Sequence, residues 1–299
     1  MRRRTHGVAL ALAAFIAAVA AHARNPGVTA APILSVPLGS RALGMGTAFT
    51  AVASDASGPS YNPAGLARLS ARETDFTYIV GAGESTLQHL AYAGPSPLAG
   101  FSGFGYSGFG ASLLLSQSGA IELNRLNADG SLKSSERLSA GSDLVAALGY
   151  AERTALTPIE FQERSYGIDH YLGVGGKFIR STLMETYHAS AFALDAGYLV
   201  ACPEAGLSFG ASALNFGGKL RYLEQADPLP SAFRGGFAWQ TGVRSVHDIL
   251  AALDGDYALQ EKTWHVNTGI EYFWLKNYGL RLGYQFRRTD QAGLTVGFG

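Results

Sequence analysis

The chain has 299 residues, with 23 Lys+Arg against 23 Asp+Glu and one cysteine, Cys202. Hydrophobic residues make up 47% and charged residues only 15%, where roughly 25% charged is usual for a soluble domain. Balanced charge argues against a nucleic-acid partner, one cysteine excludes a disulfide framework or a thiolate zinc site, and so apolar a chain is not disordered. Glycine (38 residues) and aromatics (11%) are enriched together without long apolar runs, a mixture that suits a sheet facing lipid.

In chain order, the first element is an export signal. Arg2, Arg3 and Arg4 give a positive start, Gly7 to Ala21 an apolar stretch and Ala21-His22-Ala23 a small-x-small cleavage site, predicting a signal peptide over residues 1–23. The stretch falls short of the about 20 apolar residues of a spanning helix. No cysteine lies near the cleavage site, so a lipoprotein is not expected. No later run has the length and apolarity of a spanning helix, which leaves a soluble exported protein or a membrane barrel.

Residues 24–71 differ from the remainder of the chain. Pro37 to Phe49 is small, flexible and mildly apolar, and leads into Asp55-Ala56-Ser57-Gly58 and Asn62-Pro63-Ala64-Gly65-Leu66. Asn-Pro favours a turn, so residues 33–71 read as a compact, loop-rich segment with a short helix, not a strand. One reading is a flexible leader; the other is a plug folded into a barrel lumen. A linker would be more polar, whereas a lumenal segment needs small residues to pass close to the wall and polar side chains to meet it. The plug reading is favoured, with Arg41, Gly44, Gly46, Asp55, Asn62, Pro63 and Gly65 as its candidate plug and gating residues.

From residue 72 to 299 the pattern is alternation at period two. Leu280, Leu282, Tyr284 and Phe286 share a face against Arg281, Gly283, Gln285 and Arg287. Val266, Thr268, Ile270, Tyr272 and Trp274 oppose His265, Asn267, Gly269 and Glu271. Phe192, Leu194, Ala196, Tyr198 and Val200 oppose Ala193, Asp195 and Gly197, and Phe233, Phe237 and Trp239 oppose Arg234, Gly236 and Gln240. Large aromatics gather near segment ends, as in an interfacial girdle. Twelve such segments are expected, over 73–81, 87–94, 103–117, 138–151, 168–180, 189–201, 205–216, 231–241, 246–257, 263–274, 277–287 and 291–298. The connections 118–137, 181–188, 217–230 and 258–262 are read as longer polar loops, and 95–102, 202–204, 242–245 and 275–276 as short turns. This is the asymmetry of an outer-membrane barrel, which the long connection 152–167 breaks.

Several motifs invite chemistry. Gly103-Phe104-Gly105-Tyr106-Ser107-Gly108 fits the dinucleotide glycine pattern, but a strand follows it where a helix is needed, so the glycines are read as the crowded face of a sheet. Gly206-Leu207-Ser208-Phe209-Gly210 fits the nucleophile elbow but sits in an alternating run, which makes Ser208 a small strand residue. His188 and Ser190, at i and i+2, share a strand face as in outer-membrane phospholipases, with Asn215 or Asn267 as the orienting amide; a loop-edge pair is the favoured reading. His89, His170, His188, His247 and His265 show no metal spacing, and Glu122, Asp129 and Glu136 do not fit a calcium loop. No catalytic, cofactor or metal residue is therefore assigned, and the chain is not expected to be an enzyme.

The stretch Gly39-Ser40-Arg41-Ala42-Leu43-Gly44-Met45-Gly46, followed by Asp55-Ala56-Ser57 and Tyr61-Asn62-Pro63-Ala64-Gly65-Leu66, resembles the start of PorV/PorQ proteins and, more distantly, of FadL-type outer-membrane transporters. Leu214 to Leu220 with Asp227-Pro228-Leu229-Pro230, and Leu280 to Tyr284, extend the resemblance across the processed chain. It implies an all-β transmembrane antiparallel barrel of the FadL type with an amino-terminal hatch and 14 strands, so that two closing strands would be missing after Phe298-Gly299. Its implied role is passive uptake of long-chain fatty acids or other hydrophobic molecules across the outer membrane of a diderm bacterium. The alternative is a PorV-like part in protein secretion. The implied partners are outer-membrane lipid, a hydrophobic small molecule and, in the second role, secretion-system proteins, with no cofactor.

Overall fold

Alternation at period two yields strands throughout the second part of the chain. In the computed structural model, residues 28–81, 83–97, 100–161, 163–243, 246–275, 277–286 and 293–299 are described. The expected signal peptide, residues 1–23, lies outside them, as does Arg287. Among the described residues there are sixteen strands: β1 (Glu73–Val80), β2 (Thr86–Pro95), β3 (Ser107–Gln117), β4 (Ala120–Leu126), β5 (Leu132–Ser139), β6 (Gly141–Phe161), β7 (Arg164–Leu183) and β8 (Tyr187–Cys202), then β9 (Leu207–Gly217), β10 (Lys219–Arg221), β11 (Ala226–Pro228), β12 (Ala232–Val243), β13 (His247–Ala258), β14 (Thr263–Trp274), β15 (Tyr278–Phe286) and β16 (Gly293–Phe298). Twelve form one antiparallel sheet in the order β1-β2-β3-β6-β7-β8-β9-β12-β13-β14-β15-β16, matching the twelve expected segments in number and order. β4–β5 and β10–β11 are separate two-stranded ribbons. Among the described residues β1 pairs only with β2 and β16 only with β15, so these are the two edges of the sheet.

Four expected connections are corrected. The loops 118–137 and 217–230 contain the ribbons β4–β5 and β10–β11. The expected loop 181–188 is a tight turn of three residues, Met184 to Thr186, in which Met184 and Glu185 take positive φ and the Thr186 amide donates to the Leu183 carbonyl at 3.1 Å. The expected turn-side connection 152–167 is no loop, because β6 and β7 continue through it as a paired ribbon up to Phe161 opposite Arg164. β3 begins at Ser107, so Gly103 and Gly105, both with positive φ, precede the strand.

Residues 28–72 carry short turns, as their Gly and Pro content demands. A single helical turn, α1 (Ser40–Gly44), and three 3-10 turns (Pro32–Ser35, Gly58–Ser60 and Pro63–Arg68) make up its regular structure. Pro63 occupies the first turn, where its missing N–H costs nothing, and the Asn62 side chain caps the turn by accepting from the Ala64 amide at 3.1 Å. The segment crosses one face of the sheet. Its last 3-10 turn packs on β2, β3, β6, β7 and β8, while α1 packs on β15 and β16, so the sheet curls around it.

The two faces of that sheet are inverted relative to a water-soluble protein. On β8 the buried side chains are Ala189, Ala191, Ala193, Asp195, Leu199 and Ala201, while Phe192 and Leu194 on the other face are 70% and 68% exposed. On β14 the buried row includes Asn267 and Glu271, each 1% exposed, and the outward row holds Trp264, Ile270 and Trp274. The last strand turns Leu294, Val296 and Phe298 outward. Trp264 packs on Tyr257 at one rim, and Trp274 on Tyr278 at the other. These two tryptophans are ten positions apart, about 34 Å along a strand, which a tilt of about 40° reduces to about 26 Å, near the ~25 Å height of an outer-membrane apolar band. No described helix is long and apolar enough to cross a membrane, a statement that bears on helices alone.

Candidate functional site

The inner face of the sheet is cleared for the segment by glycine. A Cβ at Gly210 would meet the Thr50 carbonyl, one at Gly173 the backbone of Pro63 and Ala64, and one at Gly283 the backbone of Met45 and Gly46. The expected residues Gly44, Gly46 and Gly65 are the segment's own half of this close approach. A Cβ at Gly44 would lie 3.1 Å from Gly297 Cα, and one at Gly46 would lie 2.6 Å from the Tyr284 nitrogen and 2.8 Å from the Thr268 oxygen, with φ at +62° besides. Gly65 instead abuts Ala53 within the segment. Gly108 of the apparent dinucleotide motif meets Leu66, in keeping with a crowded sheet face.

Polar clamps then fix the position. Arg41 reaches Glu271 on β14 through Nε (3.0 Å to Oε1) and Nη2 (2.7 Å to Oε2), and Arg281 on β15 donates to Glu271 Oε1 at 2.6 Å. Burial works against the charge on Arg41, but Glu271 first, then Asp55 and Glu73, outweigh it and hold the guanidinium above its ordinary pKa. Asp55 stands 3.9 Å from Arg41 and accepts from the Ser57 amide (3.0 Å) and hydroxyl (2.8 Å), so it closes a local turn more than it grips the wall. Asp254 on β13 accepts from the amides of Phe49 (2.9 Å) and Thr50 (2.8 Å) and from the Thr50 hydroxyl (2.6 Å). Asn62 donates to the Thr50 carbonyl (3.0 Å) and across to the Tyr198 carbonyl on β8 (3.1 Å). Ser208 and Ser212 on β9 donate to the carbonyls of Ala51 and Tyr61 at 2.9 and 2.7 Å. Burial pushes the Tyr61 phenol well above its ordinary pKa, so it keeps its proton and donates to the Leu38 carbonyl at 2.8 Å.

The structure thus gathers Arg41, Gly44, Gly46, Asn62 and Pro63 onto the wall, with Asp55 and Gly65 shaping the segment. Their wall partners Glu271, Arg281, Asp254, Arg234 and Ser212 are not among the residues the sequence nominated. The one available signal was charge and small polar residues on the otherwise glycine-rich face of alternating strands.

Between this segment and the wall lies a chamber of about 670 Å³. Leu34, Leu38, Leu114, Val145 and Leu214 give it apolar walls, and His89, Lys177, Asp195, Arg234, Asp256 and His265 its polar ones. Gln260, Glu261 and Pro230 line it from the connections at the end that also carries β4–β5 and β10–β11.

The catalytic idea does not assemble. His188 and Ser190 are exposed on the outward face, with His188 Nδ1 3.0 Å from the Thr182 hydroxyl. Asn215 and Asn267 are buried on the inward face, bonded to Lys177 and Pro230 and to Asp256 respectively. Ser208 is committed to Ala51. Among the described residues no group of three or more His, Cys, Asp or Glu is placed to hold a metal ion.

Residues 4–132 match the Uncharacterised protein family (UPF0164), a stretch that takes in the inner segment and β1 to β4. No curated protein matches the chain. Among solved structures, outer membrane phospholipase A from Escherichia coli is similar over 72% of this chain and 79% of that one, at 12% identity and a TM-score of 0.36.

Proposed function

We propose that the chain is an outer-membrane β-barrel of the FadL type that lets apolar small molecules pass down their gradient, with residues 72–299 as the wall and residues 24–71 as a lumenal plug. The observation that carries this reading is the inverted burial. Leu148, Phe192, Leu194, Val296 and Phe298 are each more than two-thirds exposed, while Asp254, Glu271 and Asn267 are sealed inside. In water such an outer face forfeits about 1.5–3 kcal/mol for each large side chain left unburied, and acyl chains remove that penalty. The chamber gives a passing molecule a waiting place, and the resemblance of the opening motif to FadL-type transporters agrees with that use. The end bearing the ribbons would face outward, where it meets the ligand first.

All three tryptophans, Trp239, Trp264 and Trp274, are exposed on the outward face. Protein reconstituted in vesicles of brominated phospholipid should therefore lose most of its tryptophan emission relative to unbrominated vesicles. Unchanged emission would overturn the membrane assignment. In the same vesicles the chain should admit labelled oleyl compounds, and deleting Arg41 to Asn62 should change that flux.

A second reading, a PorV-like holder of secretion partners, draws on the β6–β7 ribbon. It runs past β3, whose pairing stops at Glu152, and past β8, whose pairing stops at Asp169, and leaves Ile159 and Phe161 exposed beyond the rim. A chain that passes no apolar probe but crosslinks through this ribbon into a larger assembly would serve that role instead.

A further inference from the structure

The charge pairing inside the chamber restricts the head group of its ligand, an inference that rests on the uptake reading above. Among the described residues, two permanent cations reach the chamber, Lys177 on β7 and Arg234 on β12. Their side chains are only 12% and 14% exposed, and both are already answered. Lys177 Nζ lies 2.8 Å from Asp195 Oδ2 and donates to Asn215 Oδ1 at 2.6 Å. Arg234 Nη2 lies 3.3 Å from Asp254 Oδ2 and donates to the Thr47 carbonyl at 3.0 Å, while its Nε donates to the Thr50 hydroxyl at 3.1 Å. The lining adds Asp256, hydrogen-bonded to His265 at 2.8 Å, and Glu261, so that its carboxylates outnumber its permanent cations before any ligand enters.

An incoming carboxylate would meet cations already neutralised by Asp195 and Asp254, and would have to share their remaining N–H groups beside a buried anion of its own sign. Turning either aspartate out instead would strand a buried carboxylate, which is strongly unfavourable. A hydroxyl asks for no such exchange. His89, buried on β2, is among the residues lining the chamber, and its Nδ1, 3.7 Å from Asp75 Oδ1, makes no hydrogen bond. An imidazole offers a hydroxyl a donor or an acceptor according to its tautomer. The apolar side is supplied by Leu34, Leu114 and Val145, and the volume falls in the roughly 300–1,000 Å³ range of small-molecule sites. We propose that the chamber takes an uncharged, hydroxyl-bearing apolar molecule in preference to a carboxylate of the same chain length.

The test uses the full chain in nanodiscs at alkaline pH, where a fatty acid is ionised. N-phenyl-1-naphthylamine, an uncharged fluorescent probe, is bound and then displaced by oleyl alcohol or by oleate. Oleyl alcohol should displace it at a concentration roughly tenfold or more below that of oleate. Asp195→Asn, which frees Lys177, should move the alcohol-to-oleate ratio toward oleate by roughly tenfold. Asp256→Asn, acting on the Arg234 side, should move it the same way and answers the question if the first variant does not assemble. Heat-dependent gel mobility reports assembly for each. Equal or tighter displacement by oleate in the parent chain overturns the selectivity and leaves uptake standing. Displacement by neither compound overturns both.

Discussion

Glu271→Ala releases the inner segment from the wall. Glu271 is the shared anion of two guanidiniums, Arg41 and Arg281, and only 1% of its side chain is exposed. Removing it leaves two largely enclosed cations facing each other, with only Arg41 keeping a second carboxylate, Asp55 at 3.9 Å, a loss of about 3–5 kcal/mol. The undocked population should rise by roughly two to three orders of magnitude, read as faster proteolytic cleavage between residues 40 and 70 in detergent. Adding Arg41→Ala to that variant should slow cleavage again, because it removes one of the stranded charges and the two changes are not additive. Glu84→Ala is the contrast. Its pair with Arg137, at 2.9 Å, joins side chains 72% and 66% exposed, where an ion pair contributes about 0–1 kcal/mol. If Glu271→Ala is cut at the parent rate, Arg41 does not dock the segment.

Adjacent glycines on β12 should give opposite results. A Cβ at Gly236 would collide with Asp254 Oδ1 and lie 3.0 Å from the Ala51 nitrogen, whereas one at Gly235 meets nothing within 4 Å. Gly236→Val therefore drives a branched side chain into the clamp that Asp254 makes on Phe49 and Thr50. Overpacking of this kind costs about 1–3 kcal/mol, and the displaced hydrogen bonds to a buried carboxylate add to it. Gly235→Val adds an apolar side chain to an open outward face and should leave cleavage and heat-dependent mobility as in the parent. Equal behaviour of the two variants would mean that the segment does not lie against this wall.

Much of the wall was legible because period two is a local signal. On β14 the row Trp264, Ile270, Trp274 and its opposite, Asn267 and Glu271, can be read without knowing the fold. The β6–β7 ribbon was missed for a definite reason. A register shift between Arg153 and Ala155 swaps the faces, so Leu148 and Tyr150 point outward before it and Ile159 and Phe161 after it. The alternation loses phase there and the stretch reads as a loop. β4 was missed because every one of its residues is exposed, so no buried face imposes a pattern. At the site, the segment's half of the contact was readable as small residues punctuated by Arg41 and Asn62. The wall's half was not, since Arg41 meets Glu271 across 230 positions and Phe49 meets Asp254 across 205. The chamber is beyond any local signal, because its lining is drawn from strands between β2 and β14 and from the inner segment together.

The two edges of the sheet are joined by something other than a ladder. Thr295 on β16 donates to the Gly44 carbonyl at 3.2 Å, and the Glu73 carboxylate at the start of β1 faces the Ala56 amide and the Arg41 guanidinium. The two edges therefore meet through the inner segment, which serves as their keystone. Girth and docking become a single coordinate: whatever loosens Arg41 also slackens the seam between the two edge strands.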